Sequence, residues 1–282
     1  AITMERIVCW FSKGAASAAA TKKAIELNKA SRFPKELVVA SIYLEDEHPD
    51  SERFLRECEH WFGQKVITLS NEKYGASVDT VIARTKYMSG ARGARCTKEL
   101  KKQVRLDWQR PTDIHVFGMT IEEEHRINQL LDSESDLQIW PVLIEEGVTK
   151  ADCMKMVSDA GIQLPAMYRL GYNNNNCIGC LKAEGAGYWN KIRKDFPEVF
   201  RRRAEQERML NVAMIRMSAN KLANEYPEAM ERMLSAVKAG THQIKIDGRG
   251  TIRVPLRFLP PDAGSHESIY VGDCGFFCEK TE

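Results

Sequence analysis

The stretch RIVCWFSKGAASAAATKKAIELNKA, residues 6–30, decides how the rest of the chain is read. RIVCWF is β-branched and aromatic, as a buried strand should be. AASAAATKKAIELNKA is rich in strong helix formers. Between them lie Ser12, Lys13, Gly14, Ala15, Ala16 and Ser17, mostly small side chains at a strand-to-helix turn. Backbone N–H groups at such a turn lack intrahelical partners and point outward, which makes a cradle for an anion. The plainer reading is a small-residue turn that lets strand and helix pack closely. The turn has neither the Walker spacing nor the G-x-G-x-x-G of a dinucleotide fold.

Strand-like runs recur outward from it at ELVVASIYL, KVITLS, DIHVFGMT and LQIWPV, with helical patterns over 16–30, 50–63, 97–108, 122–132 and 149–160. This alternation predicts an α/β fold with a doubly wound, mostly parallel five-stranded sheet. Ligands of such sheets sit beyond the carboxyl ends of the strands. The turn after the first strand and Gly118-Met119-Thr120 after the fourth both fall there. Residues 1–165 are expected to form this domain. Residues 166–240 should hold a polar loop, YNNNNCIGC, and two or three helices broken at Pro197 and Pro227. Residues 241–282 should form a hairpin around Asp247-Gly248 and a loosely ordered cysteine-containing tail.

The 41 basic and 39 acidic residues nearly cancel, so charge alone demands no nucleic-acid partner. No apolar run is long enough to span a membrane, and no signal peptide precedes the first strand, so a cytoplasmic protein is expected. Eight cysteines are many for such a chain. In a reducing compartment they point to metal binding or catalysis rather than disulfides. Cys9, Cys58 and Cys153 sit in strand or helix patterns and read as buried thiols. Cys96, Cys177, Cys180, Cys274 and Cys278 fall in loop-like surroundings. The pair Cys177-Ile178-Gly179-Cys180 fits a redox pair, half a zinc site or half an iron–sulfur site. With Cys274 and Cys278 it can also make a tetrahedral zinc site pinning the tail. The basic residues Lys191, Arg193, Lys194 and Arg201–Arg203 spread over helices and fit either a phosphate backbone or an ordinary charged surface. Lys13 is a candidate for neutralising phosphate. Glu122, Glu123 and Glu124 can assist Mg²⁺ or ribose, or simply complement a helix dipole.

Several segments taken in order carry a resemblance. The turn has the S-x-G-x-x-S core of the PP-loop superfamily. ARCTKELKKQV resembles the R-x-C-[CT]-x-x-[LR]-K stretch of its phosphoadenylylsulfate/adenylylsulfate reductase family. VFGMTIEEEHRI has Gly118 and Glu123 at matching places, and GIQLPAMYRLGY matches at Pro165, Tyr168, Gly171 and Tyr172. DCGFF is similar to the family's E-C-G-[LI]-H signature, with Asp273 at the glutamate and Phe277 at the histidine position. Ala16 stands where many ATP-hydrolysing members carry aspartate.

The resemblance implies an adenine nucleotide (PAPS, APS or ATP) at Ser12–Ser17, Gly118 and Glu123, with Mg²⁺ if the nucleotide is ATP. It implies Cys274 as the thiolate that attacks a sulfonucleotide, and a thiol reductant such as thioredoxin or glutaredoxin. It also implies a [4Fe–4S] cluster on Cys96, Cys177 and Cys180. Thr97 fills the second position of the family's cysteine pair, leaving Cys278 to supply the fourth ligand. Two alternatives stay open: an ATP-dependent sulfurtransferase acting on tRNA or DNA, and a non-catalytic nucleotide- and zinc-binding module.

Overall fold

The strand Arg6–Trp10, β1, is buried at every residue, as a central strand covered on both faces must be. In the computed structural model, which describes residues 4–90, 93–272 and 274, it is flanked by four parallel partners. These are β2 (Glu36–Ile42), β3 (Val66–Leu69), β4 (Ile114–Val116) and β5 (Gln138–Ile139), in the spatial order β3-β2-β1-β4-β5. The chain winds from β1 out to β3, then returns to add β4 and β5 on the other side. The crevice beyond the carboxyl ends of β1 and β4 is therefore the topological switch point, where open α/β sheets bind ligands.

Helix α1, Ala15–Ala30, lays Ala15, Ala18, Ala19 and Ala24 fully buried against this layer. Small side chains let it lie close to the sheet. Aromatic bulk comes instead from Phe11, Phe54 and Phe62, with Phe11 and Phe62 edge to face at 5.4 Å. The helix Lys150–Asp159 packs beside α1 and starts on a reciprocal cap between Thr149 and Asp152. The expected strands and helices are present, trimmed at their ends. The expected helix over 97–108 contains a π turn at Lys98–Lys102 before Gln103–Trp108. A helix at Val78–Thr85 was not expected.

The chain divides into two compact units that interleave in sequence, rather than three consecutive segments. Among described residues, the first unit holds 4–78 and 97–175. The second holds 79–96 and 176–274. The second contains the helices Ala186–Asp195, Pro197–Leu210, Ala219–Glu225 and Pro227–Lys238, with both prolines at helix starts as expected.

Two expectations for this region need correction. Ile215–Ser218 lies within the stretch read as helices but is a strand, with burial alternating along it. It pairs antiparallel with Thr251–Val254. The expected hairpin around Asp247 is present but short: Ile246 bridges Ile252 antiparallel and the Asp247 N–H donates to the Thr251 carbonyl at 3.0 Å, while the other edge of Thr251–Val254 carries the longer pairing. The stretch after Phe258 is packed rather than loose up to Ile269. Asn190 Nδ2 donates to the Pro260 and Ala263 carbonyls, and the Gly187 N–H to Ser268 Oγ.

The basic run is largely engaged inside this unit. Arg203 is fully buried and pairs with Asp79, the exposed Arg202 pairs with the same carboxylate, Arg201 pairs with Glu198, and Lys191 pairs with Asp195. No helix among the described residues is long and apolar enough to cross a membrane.

Candidate nucleotide and thiol sites

In the first unit, β1 delivers the turn to the switch point. Ser17 folds back into it. Its Oγ accepts the Ser12 N–H at 3.0 Å, lies 3.0 Å from Ser12 Oγ and donates to the Gly14 carbonyl. Lys13 has φ of 64°, a left-handed conformation that reverses the chain and directs neighbouring amides to one side. The Ala15 N–H donates to Tyr168 Oη at 3.2 Å. Gly14 precedes α1 with no side-chain cap, so beyond Ala15 the helix start keeps its amides for another acceptor.

Gly118, after β4, touches this turn. A Cβ there would stand 2.4 Å from the Ser17 nitrogen and 2.6 Å from its Cα. Only glycine lets the two backbones meet. The structure therefore brings Ser12, Lys13, Gly14, Ala15, Ala16, Ser17 and Gly118 together. Glu123 is in the short turn Ile121–Glu123, where its carboxylate accepts from Arg126 at 2.6 Å.

The Lys13 side chain runs inward. It is 2% exposed, and its ammonium donates to the Ile42 carbonyl and pairs with Glu47 at 3.2 Å. Its part in an anion site is thus its backbone. Asn175 holds that backbone, donating through Nδ2 to the Lys13 carbonyl and to Ser51 Oγ. Asn175 Oδ1, Glu47 Oε2 and Ser41 Oγ are buried without a hydrogen-bond partner. Such orphans beside a turn with open amides are groups a ligand or water would complete. Glu47, Tyr168 and Asn175 extend the set beyond the turn. The asparagine run around Asn175 was the one sequence signal for its role.

The second unit gathers thiols. Cys177, Cys180 and Cys274 are buried, and Cys96, just after the short strand Gly93–Ala94, is partly so. Gly179 turns the C-x-x-C loop with φ of 70°, and its carbonyl accepts from Arg203 Nε. The Cys180 N–H donates to Tyr188 Oη at 2.9 Å. Burial pushes the Tyr188 hydroxyl above its usual range, and the charges of Cys180 and Cys177 add to this. Asn176 reaches across to Gly272 and Cys274, accepting the Cys274 N–H at 3.1 Å and donating to the Gly272 carbonyl at 3.0 Å. Burial first, then the charges of Cys274 and Cys180, push the Cys96 thiol up to about 12. Cys96, Cys177, Cys180 and Cys274 thus occupy one electrostatic neighbourhood. Cys278 lies outside the described residues. Sequence reading missed Asn176 and Tyr188 and took Arg203 only as part of a basic run; Asn176 and Arg203 depend on partners distant in the chain, and Tyr188 on a loop contact eight residues back.

The four thiols fit a thiophilic centre by donor type, since soft thiolates select zinc, copper(I) or iron–sulfur clusters. Binding would stabilise the Cys96 thiolate that burial first, and then the neighbouring cysteine charges, disfavour. Yet no three His, Cys, Asp or Glu among the described residues are grouped so as to hold a single metal ion. A zinc site would need thiolates about 3.8 Å apart around bonds of about 2.3 Å. A cluster, with its own iron and sulfide atoms between the thiolates, needs a wider ring. No family model and no curated protein matches the chain.

Proposed function

We propose that this chain is an adenine-nucleotide-binding enzyme of sulfur chemistry, and that its reaction is the thiol-dependent reduction of a sulfonucleotide. The observation that carries the nucleotide half is the turn Ser12–Ser17, with its open amides, pressed on Gly118 at the switch point. Amides at a helix start favour phosphate oxygens, and small side chains admit them closely. The buried orphan atoms of Ser41, Glu47 and Asn175 offer polar contacts for the rest of the ligand.

In the proposed reaction an enzyme thiolate attacks the sulfonucleotide sulfur. A sulfur–sulfur bond forms as the sulfur–oxygen bond to phosphate breaks, and the adenosine phosphate leaves with the electron pair. A dithiol such as reduced thioredoxin or glutaredoxin then attacks the enzyme sulfur. Sulfite departs with two electrons, the enzyme thiol is restored, and the reductant closes to a disulfide. Cys274 is the thiolate the resemblance assigns. Cys96, Cys177 and Cys180 would hold the iron–sulfur centre, which would supply iron as an acceptor for sulfur.

A second reading is favoured by the Cys274 backbone, which is held to Asn176 rather than free to travel. In it ATP activates a nucleic-acid substrate and the thiol centre delivers sulfur. Calorimetry on the anaerobically purified chain with PAPS, APS and ATP tests the shared premise. Binding of none of the three overturns it. Sulfite release from PAPS or APS with a dithiol supports the first reaction, and pyrophosphate release from ATP supports the second.

A further inference from the structure

We propose that the outer face of the β-ribbon in the second unit binds the phosphate backbone of a nucleic acid. Thr251–Val254 is the middle strand of this ribbon. It pairs antiparallel with Ile215–Ser218 along one edge and with the short arm at Ile246 along the other. The first pairing sets Arg216 opposite Arg253, and the bridge from Ile246 to Ile252 sets Lys245 opposite Arg253 as well. Residues paired across strands share a face, so three cations stand in one row across three strands. Ile215, Ile252 and Val254 are fully buried, which turns the alternate residues of the row outward. Lys245 is exposed, and the Arg216 and Arg253 side chains remain 50% and 28% exposed.

The backbone brings the two arginines closer still. The Arg216 N–H donates to the Glu184 carbonyl at 3.0 Å, and the Arg253 N–H to the Lys245 carbonyl at 3.5 Å, each directed away from the other strand. Arg216 and Arg253 are therefore a non-hydrogen-bonded pair, the arrangement in which opposed side chains lie closest. Like charges directly opposite each other destabilise a sheet. Burial first, and then the charge of Arg216, holds the Arg253 guanidinium below its usual range. Among the described residues one carboxylate, Glu184, lies within ion-pair reach of the two arginines, at 3.5 and 3.7 Å, and none reaches Lys245. Asp247, in the next row, accepts the Arg249 and Thr251 N–H groups instead.

A row of cations held this close is stabilised by an external polyanion. A phosphodiester chain suits it best. Guanidinium forks match the paired oxygens of phosphate, and the charges of such a chain follow one another at short intervals. Ser218 and Thr251, opposite each other in the next row, add hydroxyls of the kind that contact phosphate. Neither row holds an aromatic side chain on which a base could stack, so the contact is with the backbone and independent of base sequence. No residue proposed for the nucleotide or thiol sites belongs to this row, so its test is separate from theirs.

The test is fluorescence anisotropy of the full chain with a labelled single-stranded oligonucleotide of mixed sequence over a salt series. Three neutralised phosphates give a log–log slope of about −2, so affinity should fall about twentyfold between about 50 and about 200 mM salt. Lys245→Gln should flatten the slope by about 0.7. The triple variant Arg216→Gln, Arg253→Gln, Lys245→Gln should bind at least about tenfold more weakly. Arg201→Gln removes the same charge outside the row and should bind as wild type does. Absence of binding by wild type at low salt, or one slope shared by wild type and Lys245→Gln, overturns the proposal. Equal affinity for polyglutamate, or for vesicles of anionic phospholipid, overturns it too, since the row would then select charge alone.

A second measurement needs no variant. Acetylation of Lys245 in the wild-type protein, located by mass spectrometry, should slow when the oligonucleotide is bound. An unchanged rate at saturating oligonucleotide overturns the assignment even if the triple variant fails to fold.

Discussion

Gly118 and Ser17 are in backbone contact: a Cβ on Gly118 would lie 2.4 Å from the Ser17 nitrogen. The end of β4 is thereby a wall of the turn after β1, and the turn's shape depends on a residue 101 positions downstream.

Gly118→Ala should push the turn away from β4. Overpacking of this kind costs about 1–3 kcal/mol. Nucleotide binding should weaken about tenfold or more, equivalent to about 1.4 kcal/mol. Gly248→Ala, where a Cβ meets nothing within 4 Å, is the control. Calorimetry with the tightest-binding nucleotide, beside urea unfolding, separates the two effects. Unchanged affinity in Gly118→Ala would remove the turn from the binding site.

Lys13 and Glu47 form a buried pair, so the loss of either partner strands a charge. Lys13→Met or Glu47→Leu alone should cost about 3–5 kcal/mol, and the double variant should recover much of this. Additive losses in a double-mutant cycle would show that the pair is not coupled.

The Asn176 amide holds Gly272 and Cys274 to the C-x-x-C loop. Asn176→Ala leaves the Cys274 N–H and the Gly272 carbonyl without that partner, at a cost of about 1–3 kcal/mol. The alkylation rate of Cys274 in metal-free protein should rise. Asn176→Asp should fall between, because it keeps the acceptor for the Cys274 N–H and loses the donor to Gly272. An unchanged rate in Asn176→Ala would mean the tail is held by other contacts.

His115 is buried and accepts the Trp10 indole N–H on Nδ1 at 2.9 Å. Burial lowers its pKa to about 4, with the nearby Arg105 acting in the same direction. Unfolded, it binds a proton near its ordinary value of about 6.5. The unfolded state therefore holds more protons between about 4 and 6.5, and stability contributed by neutral His115 is lost as pH falls through that window. The full effect is about 3 kcal/mol. Urea unfolding at pH 7, 6, 5 and 4 should show the decline, and His115→Gln should flatten it. A wild-type imidazole titrating near 6.5 by NMR would contradict this account.

The α/β class and five parallel strands were legible because their signals are local. β-branched runs such as IVCW in β1, alternating with helical segments, name the elements without knowledge of partners. The turn Ser12–Ser17 was legible for the same reason. The strand Ile215–Ser218 was not, since IRMS alternates apolar and polar over only four residues and pairs with residues 251–254. Nor was the division into units, which carries residues 79–96 across to join 176–274. Lys13 shows the limit at a single residue. Its position in the turn suggested a phosphate contact, whereas Glu47 and the Ile42 carbonyl draw its ammonium inward.

By itself, the sequence determined the strand–turn–helix that opens the fold, the order of elements around it and the supply of cysteine thiols. Each is a property of neighbouring residues or of composition. Tertiary structure alone decided that Gly118 closes on Ser17, that Asn175 holds Lys13, and that Asn176 ties Cys274 to the C-x-x-C loop. Those contacts join residues 98 to 162 positions apart, where spacing along the chain carries no information about distance in space.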